Sequence, residues 1–189
     1  MRGLIGVTGG IGSGKSVVCR VCALRGAAVY DCDARAKAIM DSSDEIKQAL
    51  RSIAGDCVVD GCGVIDRMEL ARRLFADAQV RLAVNALVHQ AVRDDIEAWV
   101  RQVGDRPAIV ESAIMHTAGL DRLVERIWLV EAPEQVRVER VMARSGLTRE
   151  QARARIESQR AEFDALPQEK VIRICNDGIA PLLSQIPAF

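Results

Sequence analysis

The sequence predicts an α/β protein in three layers: a five-stranded parallel sheet with helices on both faces, an all-helical insertion and a helical lid segment. Three observations carry that expectation. Apolar runs of strand length alternate with segments of helical periodicity, the pattern of a parallel sheet covered on both faces. The first run feeds a glycine-rich loop that opens a helix. One long interval, residues 34–106, holds helical pattern and no strand of sheet length. At 189 residues, 49% hydrophobic and 28% charged, the chain has the length and balance of one well-buried body with an insertion, and is short for two independent domains.

Residues 4–8, LIGVT, form a short apolar run that ends in glycines, as a buried strand entering a turn does. Val17, Val18, Val21 and Leu24 follow at helical spacing until Gly26 stops the helix. Residues 27–30 make the second strand, closed by Asp31, Cys32 and Asp33. Helical pattern then covers 34–40, 44–54, 66–75 and about 78–102, with Asp66 and Glu69 spaced as a capping box. The third, fourth and fifth strands fall at 108–110, 127–130 and 171–174. After the fourth, Pro133 introduces a helix running to about Arg144, before Ser145 and Gly146. Thr148 and Gln151 are spaced as a second capping box, heading a helix rich in Arg149, Arg153 and Arg155.

Gly9, Gly14, Lys15 and Ser16 satisfy GxxxxGK(S/T), with the required strand before and helix after. A chance match in such a chain is on the order of one in a thousand. Glycines let the backbone curl until successive amides point at phosphate oxygens, and the helix dipole adds positive potential behind them. Gly10, Ile11, Gly12, Ser13, Gly14, Lys15, Ser16 and Val17 are therefore the expected nucleotide-binding residues. Lys15 reaches the β and γ phosphates and Ser16 ligates Mg²⁺, so ATP and Mg²⁺ are the expected cofactors. The chain holds four lysines against 22 arginines. A lysine here suits a compact charge inside a backbone cradle. The expected fold is thus a P-loop three-layer α/β fold: a nucleotide-binding core of 1–33, 103–140 and 168–189, a helical substrate domain of 34–102 and a lid of 141–167. The insertion reads as the holder of a second substrate, or else as a crossover elaboration. The arginine-rich hairpin reads as a lid, or else as a solvated helical pair.

A phosphate loop alone does not name a reaction. A guanine-reading NKxD is missing, since none of Lys15, Lys37, Lys47 and Lys170 begins KxD. Asp60, Gly61, Cys62 and Gly63 match DxxG but fit a turn between short extended pieces. A small kinase needs a carboxylate near the γ phosphate to orient the accepting hydroxyl, and strand ends converge there in this fold. Asp33 is the candidate, with helix capping as its rival role.

Twenty-six basic and 26 acidic residues cancel, so net charge points to small-molecule partners rather than to nucleic acid or an anionic membrane. The opening apolar run has only a strand's length, which fits neither a signal peptide nor a span, and a cytoplasmic protein is expected. The six cysteines read as buried small hydrophobes rather than as disulfides, zinc ligands or a redox pair at Cys19 and Cys22.

With GGIGSGKS at 9–16, YDCD at 30–33, DGCGVIDRMELARRLFAD at 60–77, HQAVR at 89–93, VMARSGLTREQARARIESQ at 141–159 and CNDG at 175–178, the chain resembles the bacterial dephospho-CoA kinases over essentially its whole length. The resemblance implies transfer of the ATP γ phosphate to the ribose 3′-hydroxyl of dephospho-CoA, the last step of CoA synthesis. It implies Asp33 as catalytic base or orienting group, Thr8 beside the phosphates, and Arg144 on the transferred phosphate. It places Asn176 near the adenine, where a turn role before Gly178 is the alternative, and gives His89 and Arg93 to substrate binding, where helix-to-helix hydrogen bonding is the alternative for His89. The implied partner is dephospho-CoA, met by a monomer or small homo-oligomer. The chain departs from the family at Val17, where Thr is usual; at Gln90, where Pro is usual; and at 112–115, SAIM, in place of a Pro-Leu-Leu element. Glu111, just before that segment, is a further carboxylate for Mg²⁺ or a water network. A kinase of another nucleotide-like molecule and a non-catalytic ATP-binding module are the competing readings.

Overall fold

The computed structural model describes residues 3–189. Its strands β1 (Ile5–Thr8), β2 (Ala28–Asp31), β3 (Ala108–Glu111), β4 (Arg126–Glu131) and β5 (Val171–Cys175) form one sheet in the order β2-β3-β1-β4-β5. All four pairings are parallel, with Val7 opposite both Glu111 and Trp128, and Asp31 opposite Glu111. The helices in chain order are α1 (Lys15–Leu24), α2 (Cys32–Ser42), α3 (Asp44–Ala54), α4 (Arg67–Ala76), α5 (Ala78–Val103), α6 (Glu134–Ser145), α7 (Arg149–Glu157), α8 (Arg160–Asp164) and α9 (Leu182–Gln185).

The chain separates into two compact units, one of residues up to Asp31 together with Val100–Phe189, the other Cys32–Trp99. The sequence reading set these divisions at 33/34 and 102/103. In the first unit β1 is the central strand, and its neighbours read as apolar runs because both faces are covered. Val7, Ile109, Trp128, Val130 and Ile174 pack with Val18, Cys19 and Cys22 of α1 and with Ile186. Successive strand residues face opposite ways. Gly6 therefore belongs to the other face, where a Cβ would stand 2.8 Å from Met115 Cε and 3.3 Å from Val124 Cγ2. The glycine lets the Met115 side chain lie directly on the strand.

The second unit has its own core of Leu50, Ala54, Val58, Val59, Ile65, Leu70 and Val84. Ser43 Oγ caps α3 by accepting from Ile46 N (3.2 Å), and Asp66 Oδ1 caps α4 by accepting from Met68 N (3.0 Å) and Glu69 N (2.9 Å). The reciprocal half of the expected capping box at Asp66 is missing: the Glu69 carboxylate is taken by Arg72 and Arg73 at 2.6–2.9 Å and by the Cys57 thiol at 3.3 Å. The Asp66 amide donates instead to Val58 O (2.9 Å). Asp60–Gly63 is the turn the sequence suggests, with Asp60 Oδ1 accepting from Cys62 N and Val64 N beside the Val59–Ile65 bridge.

Two expectations change. Cys32 and Asp33 do not close the second strand: α2 starts directly at Cys32, and Asp33 lies in its first turn. Asp33 is thus past the capping position. Nor are the cysteines uniformly packing residues. Cys19, Cys22 and Cys32 are buried, whereas Cys57, Cys62 and Cys175 are exposed.

Truncation of the fully buried Ile109 to Ala is expected to lower stability by about 2–5 kcal/mol in urea unfolding, through lost transfer energy and an unfilled cavity. Bonds first from Arg72, then from Arg73 and Cys57, hold the Glu69 carboxyl down to about 2, below its ordinary 4.5. A depressed folded pKa stabilises above the unfolded value and loses that contribution as the pH falls through the folded one. Glu69→Gln is therefore expected to unfold with a flatter pH dependence between about 4.5 and 2 than the parent chain.

Candidate active site

The loop between β1 and α1 leaves the carboxyl end of the central strand, the place where an open parallel sheet offers a crevice. Gly12 (φ 78°) and Gly14 (φ 94°) adopt the left-handed backbone that bends it. A Cβ on Gly12 would also meet the Arg137 backbone, its carbonyl oxygen at 2.7 Å. At these two positions glycine is a steric requirement. Gly14 is the residue before α1, which carries neither a capping side chain nor an acidic residue in its first turn. The helix N-terminus is thereby left positive and open to an anion.

The loop's outward groups are held from elsewhere in the same unit. Lys15 Nζ donates to Gly9 O (2.9 Å). From α6, Arg137 Nε donates to Ile11 O (3.0 Å) and Arg140 Nη1 to Gly12 O (3.3 Å) and Asn176 O (3.0 Å). Asn176 Nδ2 donates to Ser13 O (2.8 Å), while Asn176 N is fixed on Glu131 O at the end of β4 (2.7 Å). Gln159 Oε1 accepts from Ile11 N (2.7 Å). Among the described residues the amides of Gly12, Gly14 and Ser16 give no hydrogen bond to protein. The hydroxyls of Thr8 and Ser13 are buried and likewise without a partner. Buried hydroxyls and helix-end amides left over at one loop are the donor set that phosphate oxygens satisfy. The residues therefore fit a nucleotide phosphate chain.

Glu111 ends β3, one strand from Val7, and bonds the Cys19 thiol one helical turn beyond Ser16. Burial first, then the Glu111 charge and that bond, push the Cys19 thiol far above its ordinary range; burial alone lifts Cys22 to about 11. Such thiols stay protonated, which removes them as a redox pair. Ser16 and Cys19 share a face of α1 at i, i+3. A hydroxyl and a carboxylate are the oxygen ligands that a hard cation takes.

A family model described as dephospho-CoA kinase matches residues 3–180. The chain is 39% identical over 158 residues to the dephospho-CoA kinase of Porphyromonas gingivalis, covering 84% of this chain and 78% of that one. It is 37% identical to that of Chlorobaculum tepidum, covering 97% and 91%. The chain belongs to the dephospho-CoA kinase family. A solved structure from Thermus thermophilus is similar with a TM-score of 0.76 at 32% identity, over 97% of this chain and 91% of that one. The dephospho-CoA kinase of Campylobacter jejuni shares the fold at 20% identity, with a TM-score of 0.67 over 97% and 91%.

Of the residues that the family resemblance implies, the first unit brings Thr8, the loop and Asn176 together. Arg144 is exposed in the last turn of α6. Val17 is half exposed, at 49%, and offers a nucleotide only apolar surface. Asp33 is exposed in α2, and His89 and Arg93 are half-buried on α5 in the second unit. There Gln90, which stands where the family usually has Pro, accepts from Arg93 Nη2 (2.6 Å) and donates to Asp94 (2.7 Å).

Sequence reasoning missed Arg137, Arg140 and Gln159. A signal for two of them was present: Arg137, Arg140 and Arg144 recur at i, i+3 and i+7, a single stripe on α6 flanking the buried Val138 and Val141. The segment that replaces the Pro-Leu-Leu element is also built differently from a flexible wall. Ser112 Oγ accepts from Ile114 N (3.2 Å), and the buried Glu162 of α8 accepts from His116 N and Thr117 Oγ1 (both 2.5 Å).

Iodoacetamide near pH 8 is expected to label the exposed Cys57, Cys62 and Cys175 in the folded protein, and Cys19 and Cys22 only after unfolding. Peptide mass mapping reads the outcome, and rapid labelling of Cys19 would remove the Glu111 contact from the site.

Proposed function

We propose that the chain transfers the γ phosphate of ATP to the ribose 3′-hydroxyl of dephospho-CoA, giving CoA and ADP, in the cytoplasm as a monomer or small homo-oligomer. The observation that carries this reading is a phosphate loop whose inward amides and two buried hydroxyls await an anion, in a chain that matches the family along 3–180.

The loop of residues 10–17 holds the phosphates through the amides of Gly12, Gly14 and Ser16. Lys15 neutralises charge on the β and γ groups, and Thr8 donates beside them. Ser16 and Glu111 are the residues that would hold Mg²⁺, which supplies charge neutralisation on the phosphates when bound. Phosphoryl transfer passes through a loose transition state, so the protein contributes position and charge more than covalent chemistry. Asp33 orients the accepting hydroxyl and takes its proton late. Arg144 extends the stripe begun by Arg137 and Arg140, and reaches the transferred phosphate as the 141–167 segment closes. Asn176 stands by the adenine; His89 and Arg93 bind the acceptor from the 34–102 domain.

An acceptor panel tests the reading. With ATP and Mg²⁺, dephospho-CoA is expected to yield CoA and ADP in equal amounts. Turnover on a nucleoside or sugar instead would favour another kinase, and ATP binding without acceptor-dependent ADP release a regulatory module. Asp33→Asn is expected to lower kcat by about 10²–10³ with ATP affinity nearly unchanged; a loss of ATP affinity would make Asp33 structural.

A further inference from the structure

One residue of the loop is tied on three sides to a single neighbouring element. Ile11 N donates to Gln159 Oε1 (2.7 Å), just beyond the end of α7, and Ile11 O accepts from Arg137 Nε (3.0 Å) on α6. The Ile11 side chain packs into the cluster that joins the two helices, made of Val138, Val141, Ala152 and Ile156 with Met142 and Leu147. The α6–α7 hairpin is thus more than a solvated pair of helices. Its core includes a side chain of the phosphate loop.

The two hydrogen bonds act on consecutive peptide planes, because the Ile11 amide belongs to the plane with Gly10 and its carbonyl to the plane with Gly12. Fixing both planes sets the direction from which the following amides, Gly12 to Ser16, leave. An amide pointing at Gln159 is also one that does not face a phosphate. The Arg137 guanidinium lies against Gly10, with burial lowering its pKa and its Nη2 buried without a partner. A charged group held there at a cost must gain from what it orders.

We infer that Gln159 and Arg137 are positioning residues that hold Ile11 and so pre-shape the loop for nucleotide before any arrives, coupling the α6–α7 hairpin to ATP affinity. Loop and hairpin form a single mechanical piece at Ile11. Hairpin motion during the reaction must either carry the loop with it or occur beyond this joint. The inference rests on the nucleotide-binding part of the proposed function alone. It is independent of which hydroxyl accepts the phosphate.

The test is direct titration of the purified full-length chain with MgATP in the absence of acceptor, alongside thermal unfolding. Gln159→Leu removes the acceptor, and Arg137→Leu removes the donor. Each is expected to weaken ATP binding by roughly three- to tenfold, about what one net hydrogen bond is worth. Arg137→Gln is expected to restore affinity to within about twofold, because its amide nitrogen takes the place of Nε and can donate to Ile11 O. Amide exchange supplies a readout independent of nucleotide: the Ile11 N–H is protected in the parent chain and loses that protection in Gln159→Leu. Variants that melt earlier but bind ATP as the parent does overturn the inference, as does an Arg137→Gln variant no better than Arg137→Leu. Failure to use dephospho-CoA would overturn the proposed function and leave this result standing.

Discussion

A backbone loop cannot turn its amides toward a ligand without turning carbonyls away from it, and those carbonyls must find donors if they are to be buried. That constraint organises the first unit. Gly9 O is bonded by Lys15, Ile11 O by Arg137, Gly12 O by Arg140 and Ser13 O by Asn176. Four of the loop's carbonyls take donors from α1, from α6 and from the turn after β5. Helix α6 and the β5 turn are therefore parts of the phosphate site even where they touch no phosphate. Arg140 binds the two together, since it also donates to Asn176 O at 3.0 Å.

The sheet brings these parts to one end. With β1 between β3 and β4, the chain's parallel strands all finish on the same side, so that Thr8, Glu111 and Glu131 end neighbouring strands. Thr8 runs into the loop, Glu111 is held by the thiol of α1, and the Glu131 carbonyl anchors Asn176. A reaction with little covalent chemistry for protein groups needs such fixed positions more than it needs a strong base. The family's chemistry and this construction agree on that point. In the second unit, the bidentate pair of Arg35 with Asp95 (2.7–3.0 Å) and the core around Leu50 fix α2 and α5, which carry Asp33, His89 and Arg93.

What was legible in the sequence was local. The five strands, the long helical interval and the loop follow from periodicity and from backbone that only glycine adopts, and each can be read within a short window. The capping box at Thr148 and Gln151 was legible for the same reason and forms in full. The one at Asp66 forms by half, because the bond that was missed comes from Arg73 and Cys57, the latter twelve residues from Glu69. YDCD looked like a strand closing in turn residues, yet a helix can begin on a buried Cys32 with no turn at all. Arg137, Arg140 and Gln159 escaped because they serve the loop through its backbone from more than 120 residues away. No pattern in the loop itself demands a particular partner. Their spacing on α6 was the available clue.

The central claim is that the loop divides its backbone groups: the amides of Gly12, Gly14 and Ser16 are kept for the triphosphate, and the amide and carbonyl of Ile11 are spent on the protein. An amide-resolved NMR titration with MgATP measures that division directly. The account predicts large shifts for the Gly12, Gly14 and Ser16 amides with the Ile11 amide moving little. An Ile11 amide that shifts as strongly as theirs would contradict it, since that group would then belong to the nucleotide rather than to Gln159.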